Sequence, residues 1–181
     1  MLNEEIIIAG FGGQGVLSMG QTLCYAAMVE GKNVSWMPSY GPEMRGGTAN
    51  CITIVSDTTI SSPIVSRFDT GILLNQPSMD KFESKIKPNG IIVYESTNIL
   101  HASERKDIGV YAIAAADEAN KLNNVRIANM ILLGAFLQKK PIVSIDGIME
   151  ALKKVLPERY HNLLPVNRKA LEVGAEIMSK M

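Results

Sequence analysis

The feature that most constrains this chain is a glycine-rich turn set between two segments of different hydrophobic period. Glu5–Ala9 is a short β-branched run, Gly10-Phe11-Gly12-Gly13-Gln14-Gly15 satisfies GxGxxG, and Gln14–Glu30 places Val16, Leu17, Leu23 and Ala27 at helical spacing. The order strand, glycine loop, helix predicts a sharp turn whose backbone a ligand can approach closely. The free N–H groups and positive dipole end of the helix then favour phosphate or another anion near Gly12, Gly13, Gln14 and Gly15. The motif by itself does not name the ligand, and the same glycines also serve plain tight packing.

Gly31 suits a helix C-terminus, and Lys32–Met37 supplies the next extended run, so a βαβ unit with a right-handed crossover between parallel strands is expected. A nicotinamide site would add an acid at the end of that second strand to hold the ribose hydroxyls. Glu30 lies near the right count but precedes the strand, whose end, Trp36-Met37-Pro38-Ser39, carries no acid. An ordinary NAD-binding reading is therefore disfavoured.

Pro38–Gly47, PSYGPEMRGG, follows the carboxyl end of the strand, where open α/β sheets place their ligands. Ser39 and Tyr40 offer hydroxyls, Arg45 a cationic fork, and Gly41, Gly46 and Gly47 close backbone approach. Glu43 competes as an intramolecular partner for Arg45, and the loop serves equally as a subunit interface. Asn75, after a further strand, reaches the same edge or simply starts a turn with Pro77.

Along the rest of the chain, Thr48–Val55 and Thr58–Ile60 read as strands joined by a tight turn at Ser56-Asp57. Thr70–Leu74 is a buried-type strand with a helix after it to about Ile86, and Pro88-Asn89-Gly90 is a turn before a strand at Ile91–Tyr94. Val110–Ile113 gives one more strand. Helices are expected over Ala114–Leu122, Val125–Lys139, Ser144–Val155 and from Pro165 onward. The expected fold is one α/β domain over residues 1–181: layered, Rossmann-like, with a mainly parallel central sheet, some antiparallel strands and a helical C-terminal part.

Charge and cysteine usage narrow the function. With 18 basic and 18 acidic side chains there is no net field to hold nucleic acid. Cys24 and Cys51 lie far apart and, with His101 and His161, supply neither four cluster thiolates nor a recognisable metal site. Cys24 suits a buried structural thiol; Cys51 stands nearer the glycine-rich loop but has no base or cation beside it in sequence. Trp36, Met130 and Met149 fit a core, and Lys153, Lys154, Arg168 and Lys169 a solvated face. The start of the chain lacks the basic region and longer apolar core of a signal peptide, and Met130–Leu137 is far short of the ~20 residues a membrane helix needs. A cytoplasmic protein without a membrane span is expected.

Gly10–Val16 (GFGGQGV) together with Pro38–Cys51 (PSYGPEMRGGTANC) resembles the gamma subunit of 2-oxoacid:ferredoxin oxidoreductases of the pyruvate, 2-oxoglutarate and ketoisovalerate types. The resemblance spans nearly the whole chain: Ile72–Pro77, Ala128-Asn129-Met130 leading to Gly134, and Asn167 with Ala170 and Gly174 also fit. It implies a multisubunit enzyme that converts a 2-oxoacid and coenzyme A to acyl-CoA and carbon dioxide with reduction of ferredoxin, and it leans toward 2-oxoglutarate. It further implies that thiamine diphosphate and iron–sulfur clusters belong to partner alpha, beta and ferredoxin-like delta subunits, and that CoA binding and subunit packing fall to this one. No residue here is assigned to catalysis. In isolation, exposed interface surface would favour self-association. Rival expectations are a purely structural subunit and a stand-alone NAD(P)-dependent oxidoreductase.

Overall fold

The computed structural model describes residues 1–41 and 47–181. Six strands form one sheet: β1 (Asn3–Phe11), β2 (Asn33–Tyr40), β3 (Thr48–Ser56), β4 (Phe68–Leu73), β5 (Ile86–Glu95) and β6 (Gly109–Ile113), in the order β2-β3-β1-β4-β5-β6. Six helices accompany them: α1 (Val16–Val29), α2 (Gln76–Phe82), α3 (Ala115–Lys121), α4 (Ala128–Lys139), α5 (Ile145–Val155) and α6 (Leu164–Ser179). Strands β1, β4, β5 and β6 pair in parallel, while β3 runs antiparallel to both β1 and β2. The α/β class and mainly parallel sheet agree with the sequence expectation.

Within the βαβ unit a third strand intervenes. β2 is parallel to β1 but is separated from it by β3, because the connection over residues 41–47 is short enough only for an antiparallel return. The second strand expected at Thr58–Ile60 is absent; the antiparallel pairing comes from β3 lying between β2 and β1. Pro88-Asn89-Gly90 is not a turn ahead of a strand but an irregularity inside β5, where the register against β4 shifts. Asn89 takes φ 64°, and a Cβ on Gly90 would stand 2.7 Å from the Asp69 carbonyl oxygen. The expected helix to Ile86 is α2 closed by a 3-10 turn at Glu83–Lys85.

Strand alternation divides the core. Ile6 and Ile8 of β1, with Ile91 and Val93 of β5, face a large cluster built with α1, α3, α4, α5 and α6; Ile7, Ala9, Ile92 and Tyr94 face a smaller one with α2. Met130 and Met149 are in the large core as expected, whereas Trp36 is only half-buried on the outermost strand.

Helix α4 sits between sheet and α6 and is apolar on every side, with nine of its twelve residues buried. It meets α6 backbone to backbone. A Cβ on Gly134 would collide with the Leu171 carbonyl, and one on Gly174 with the Ile131 carbonyl. The buried Glu4 carboxylate accepts from Lys140 Nζ at 2.7 Å and Thr70 Oγ1 at 2.5 Å, tying the end of α4 to the sheet. Among the described residues no helix is long and apolar enough to cross a membrane.

The backbone contact makes Gly174→Ala an overpacking change. It is expected to lower stability by roughly 3 kcal/mol and the melting temperature by roughly 6–12 °C in a thermal melt of the full chain, while an alanine at exposed Glu172 leaves the melt unchanged.

Candidate functional site

The glycine loop closes β1 and opens α1 at the C-terminal edge of the sheet. β1 and β4 are neighbours there, but the chain leaves β1 toward β2 and leaves β4 toward β5, so the loop stands at the point where strand order reverses. Gly13 (φ 98°) and Gly15 (φ 77°) take backbone conformations that L side chains rarely adopt, and Gly15 is the N-cap of α1 with no side chain capping the helix. A Cβ on Gly15 would run into the carboxamide of Asn129; one on Gly13 would meet nothing within 4 Å. Gly13 therefore presents bare backbone to open space.

The protein's own hydrogen bonds hold this turn. Gly12 N–H donates to the Gly47 carbonyl at 2.8 Å, bringing the two predicted loops together. Gln14 Oε1 accepts from Phe11 N–H at 2.7 Å, and its Nε2 donates to the Leu74 carbonyl at 3.4 Å. The absent Cβ of Gly10 makes room for that side chain: it would stand 2.6 Å from Gln14 Oε1. The Gln14 carboxamide is engaged in shaping the loop and fastening it to the end of β4.

Three hollows meet at the loop. One of about 270 Å³ lies toward β2 and β3, bounded by Phe11, Gly12, Leu17, Tyr40 and Ala49. A second, about 230 Å³, opens above β4 and β5 beside Leu74, Glu95, Asn98 and Arg126. The third, about 510 Å³, runs between α1, α5 and the starts of α4 and α6. Gly13 lines all three. Tyr40, an exposed residue, thus reaches the glycine loop, whereas Ser39, one residue before it, falls on the opposite face of β2 and lines none of them. Gly41 N–H closes the strand pair onto the Thr48 carbonyl at 3.4 Å. Arg45 and Gly46 lie outside the described residues.

Asn75 takes the second of its two expected places, at the start of the turn with Pro77. It is buried as the N-cap of α2, its Oδ1 accepting from Ser78 N–H at 2.9 Å, and it lines none of the three hollows. Glu30 sits at the far end of α1 and accepts from the Ser144 N–H and hydroxyl at 2.9 and 2.7 Å. It is an anchor for α5, remote from any ribose that the loop would hold. His161 Nε2 is 3.0 Å from the Leu156 carbonyl, and His101 is exposed.

Sequence reasoning missed Ser18, Asn124, Arg126 and Glu95 as site residues, and took Asn129 only as part of the resemblance. Asn129 Nδ2 donates to the Gly15 carbonyl at 3.4 Å across 114 residues, and Arg126 lines two of the hollows. The buried Glu95 carboxylate accepts from the amides of Thr97, Asn98 and Ala116, which joins the end of β5 to the first turn of α3. The only local sign was the pair Asn123-Asn124 ahead of an apolar helix, a start signal that says nothing about which loop that helix faces.

Both cysteines are free and buried. Burial pushes the Cys24 thiol up to about 12 and the Cys51 thiol up to about 11. Cys51 Sγ sits 2.5 Å from where a Cβ on Gly20 would stand, so that glycine lets α1 lie directly on β3.

A thiol whose folded pKa exceeds its unfolded value of about 8.5 stays protonated while the unfolded chain ionises. This contribution to stability is complete below about pH 8.5 and is lost as pH rises toward the folded values of 11 and 12. The melting temperature should fall from pH 8.5 upward, and a thiol reagent at pH 8 should label the chain only after denaturation. Gln14→Ala, which strips the Phe11 amide of its acceptor, should cost about 1 kcal/mol and speed hydrogen exchange at Phe11 in the folded protein.

Comparison with known proteins agrees with this architecture. The pyruvate ferredoxin/flavodoxin oxidoreductase family profile matches residues 5–177. The ketoisovalerate oxidoreductase subunit VorA of Methanothermobacter thermautotrophicus is 39% identical over 95% of the chain but only 36% of its own length, so the chain spans about a third of that relative. The 2-oxoglutarate synthase subunit KorC of Methanocaldococcus jannaschii is 32% identical, covering 97% of this chain and 96% of KorC. The crystal structure of a keto/oxoacid ferredoxin oxidoreductase gamma subunit from Geobacter sulfurreducens superposes with a TM-score of 0.82 at 28% identity, over 98% of this chain and 99% of that one. The glycine loop, the sheet around it and the match over residues 5–177 together place this chain in the pyruvate ferredoxin/flavodoxin oxidoreductase family.

Proposed function

We propose that this chain is the gamma subunit of a multisubunit 2-oxoacid:ferredoxin oxidoreductase, contributing CoA binding and subunit packing to the conversion of a 2-oxoacid and CoA into acyl-CoA and carbon dioxide. The observation that carries the CoA part is the uncapped N-terminus of α1 behind Gly13 and Gly15, with open space over Gly13. CoA carries a pyrophosphate, and unpartnered backbone N–H groups at a helix start are suited to it. Tyr40 and Leu17 border the same hollow and would pack along the pantetheine arm. Arg45 and Gly46, on the adjoining loop, remain in the proposal as charge and close backbone approach.

Gly12, Gly13, Gly15, Tyr40 and Gly47 form the proposed contact set, with Gln14 as the residue that shapes the loop. Ser39, Gly41 and Asn75 drop to strand-end and capping roles. Thiamine diphosphate, which stabilises the carbanion formed on decarboxylation, and the iron–sulfur clusters are assigned to alpha, beta and ferredoxin-like delta partners, with ferredoxin reduced through the complex. For the oxoacid, 2-oxoglutarate was the expectation; the higher identity to a ketoisovalerate oxidoreductase subunit favours a branched-chain 2-oxoacid as the second reading.

Gly13→Val would project a side chain from a φ of 98° into the proposed phosphate site. In the enzyme purified with its partners it should raise the KM for CoA about tenfold or more, the cost of one charge-assisted contact, with subunit composition unchanged. An unchanged KM would remove the loop from CoA binding. Activity of the purified complex on 2-oxoglutarate against 3-methyl-2-oxobutanoate decides the oxoacid.

A further inference from the structure

The largest of the three hollows is built unlike the other two. It is a cleft of about 510 Å³, within the ~300–1,000 Å³ of small-molecule sites, and the N-caps of three helices border it: Gly15 of α1, Ile127 of α4 and Leu163 of α6. None of these N-caps supplies a side-chain cap. The other helices are served elsewhere: Asn75 caps α2, Ser144 caps α5, and Glu95 takes an amide of the first turn of α3. Helix α4 continues from a 3-10 turn at Val125–Ile127 whose amides Asn124 takes, Asn129 Oδ1 takes the Met130 amide, and α6 continues from a 3-10 turn at Glu158–Leu163, so α1 holds most of the free donor capacity.

Two side chains reinforce the pattern. Thr22 lines the cleft, is completely buried, and its hydroxyl has no hydrogen-bond partner. Such a group costs about 1–3 kcal/mol when left unpaired, which argues for a ligand atom on that side. Arg126 stands exposed on the wall, and among the described residues its guanidinium makes no ion pair or hydrogen bond. No carboxylate lines the cleft. Its electrostatics therefore select an anion.

The remaining wall selects what carries the anion. Met130, Leu152 and Leu156 give an apolar surface for the face of a flat ring. Asn167 Nδ2 donates to the Leu163 carbonyl at 2.8 Å, leaving its Oδ1 as an acceptor; Asn124 Oδ1 accepts from Arg126 N–H, leaving its NH2 as a donor. One acceptor and one donor are what the amino group and a ring nitrogen of adenine require.

We infer that this cleft is an adenine-nucleotide subsite, with a phosphate at Arg126 and the start of α1, and the base against Met130, Leu152 and Leu156. The same chemistry has two sources. If the nucleotide is the 3′-phosphoadenosine end of CoA, the inference rests on the CoA reading above and extends it past the glycine loop; a free adenine nucleotide acting on the subunit is the other source.

The test is ¹H–¹⁵N NMR of the full chain titrated with CoA, 3′-dephospho-CoA and ADP, following the amides of Thr22, Arg126, Asn129 and Asn167 in the cleft and those of Gly12 and Gly13 in the loop. CoA moving both sets, with the cleft set moved less by 3′-dephospho-CoA, establishes the CoA end. ADP moving the cleft set alone, additively with CoA at the loop, establishes a free-nucleotide site. In either case Arg126→Ala should weaken the cleft response about tenfold and Thr22→Val several-fold, as expected for one charge-assisted and one neutral hydrogen bond. CoA moving only the loop set while no nucleotide moves the cleft set overturns this inference and leaves the CoA reading standing. No response of either set to any ligand overturns both.

Discussion

The structure depends on the burial of α4. A helix apolar on all sides has to be enclosed, and here the sheet encloses one flank and α6 the other, at a separation that only Gly134 and Gly174 permit. Enclosure fixes the helix along its own axis as well. The Glu4–Lys140–Thr70 contacts anchor its C-terminal end, so its N-terminal end arrives over the C-terminal edge of β1. Asn129 and Arg126 therefore stand against a loop more than a hundred residues earlier in the chain, with no local bond driving them there.

Around the loop, the chain uses its own polar groups to hold space open. Gln14 bonds Phe11 and Leu74, Gly12 bonds Gly47, and Asn129 bonds Gly15, so the turn is bound on each side while Gly13 stays uncovered. Preorganisation of this kind lowers the ordering cost of binding, because the backbone donors are already aimed. The division between capped and uncapped helices follows the same logic. Asn75, Ser144 and Glu95 take first-turn amides of α2, α5 and α3; α1, whose N-cap faces the glycine loop, has no side-chain cap.

The sheet contributes by the position of β3. By lying between β2 and β1 it carries the end of β2, and Tyr40 with it, one strand further from β1 than a simple βαβ unit would. A ribose-binding acid at the end of β2 would then be badly placed, and the sequence has none there; Glu30, the residue nearest the right count, is occupied in fastening α1 to α5. The hollow between Phe11 and Tyr40 is a product of the same insertion.

Much of this was legible from sequence because it is written in short-range patterns. The β-branched run before Gly10, the helical spacing after Gly15, and the glycines themselves are local constraints on φ, ψ and hydrophobic period, and the strand–loop–helix they predict is present. The joint motif of Gly10–Val16 and Pro38–Cys51 carried the family. Strand partners were not legible: nothing in Thr48–Val55 says it will lie between β2 and β1, and the irregularity at Pro88–Gly90 looks locally like a turn. Nor were the distant walls of the site, since Arg126 and Asn129 meet Gly15 only after α4 is enclosed. The sequence by itself determined where the backbone bends and which faces are apolar; the tertiary structure decided what each bend confronts, because that depends on packing between segments too far apart in the chain for local preference to specify.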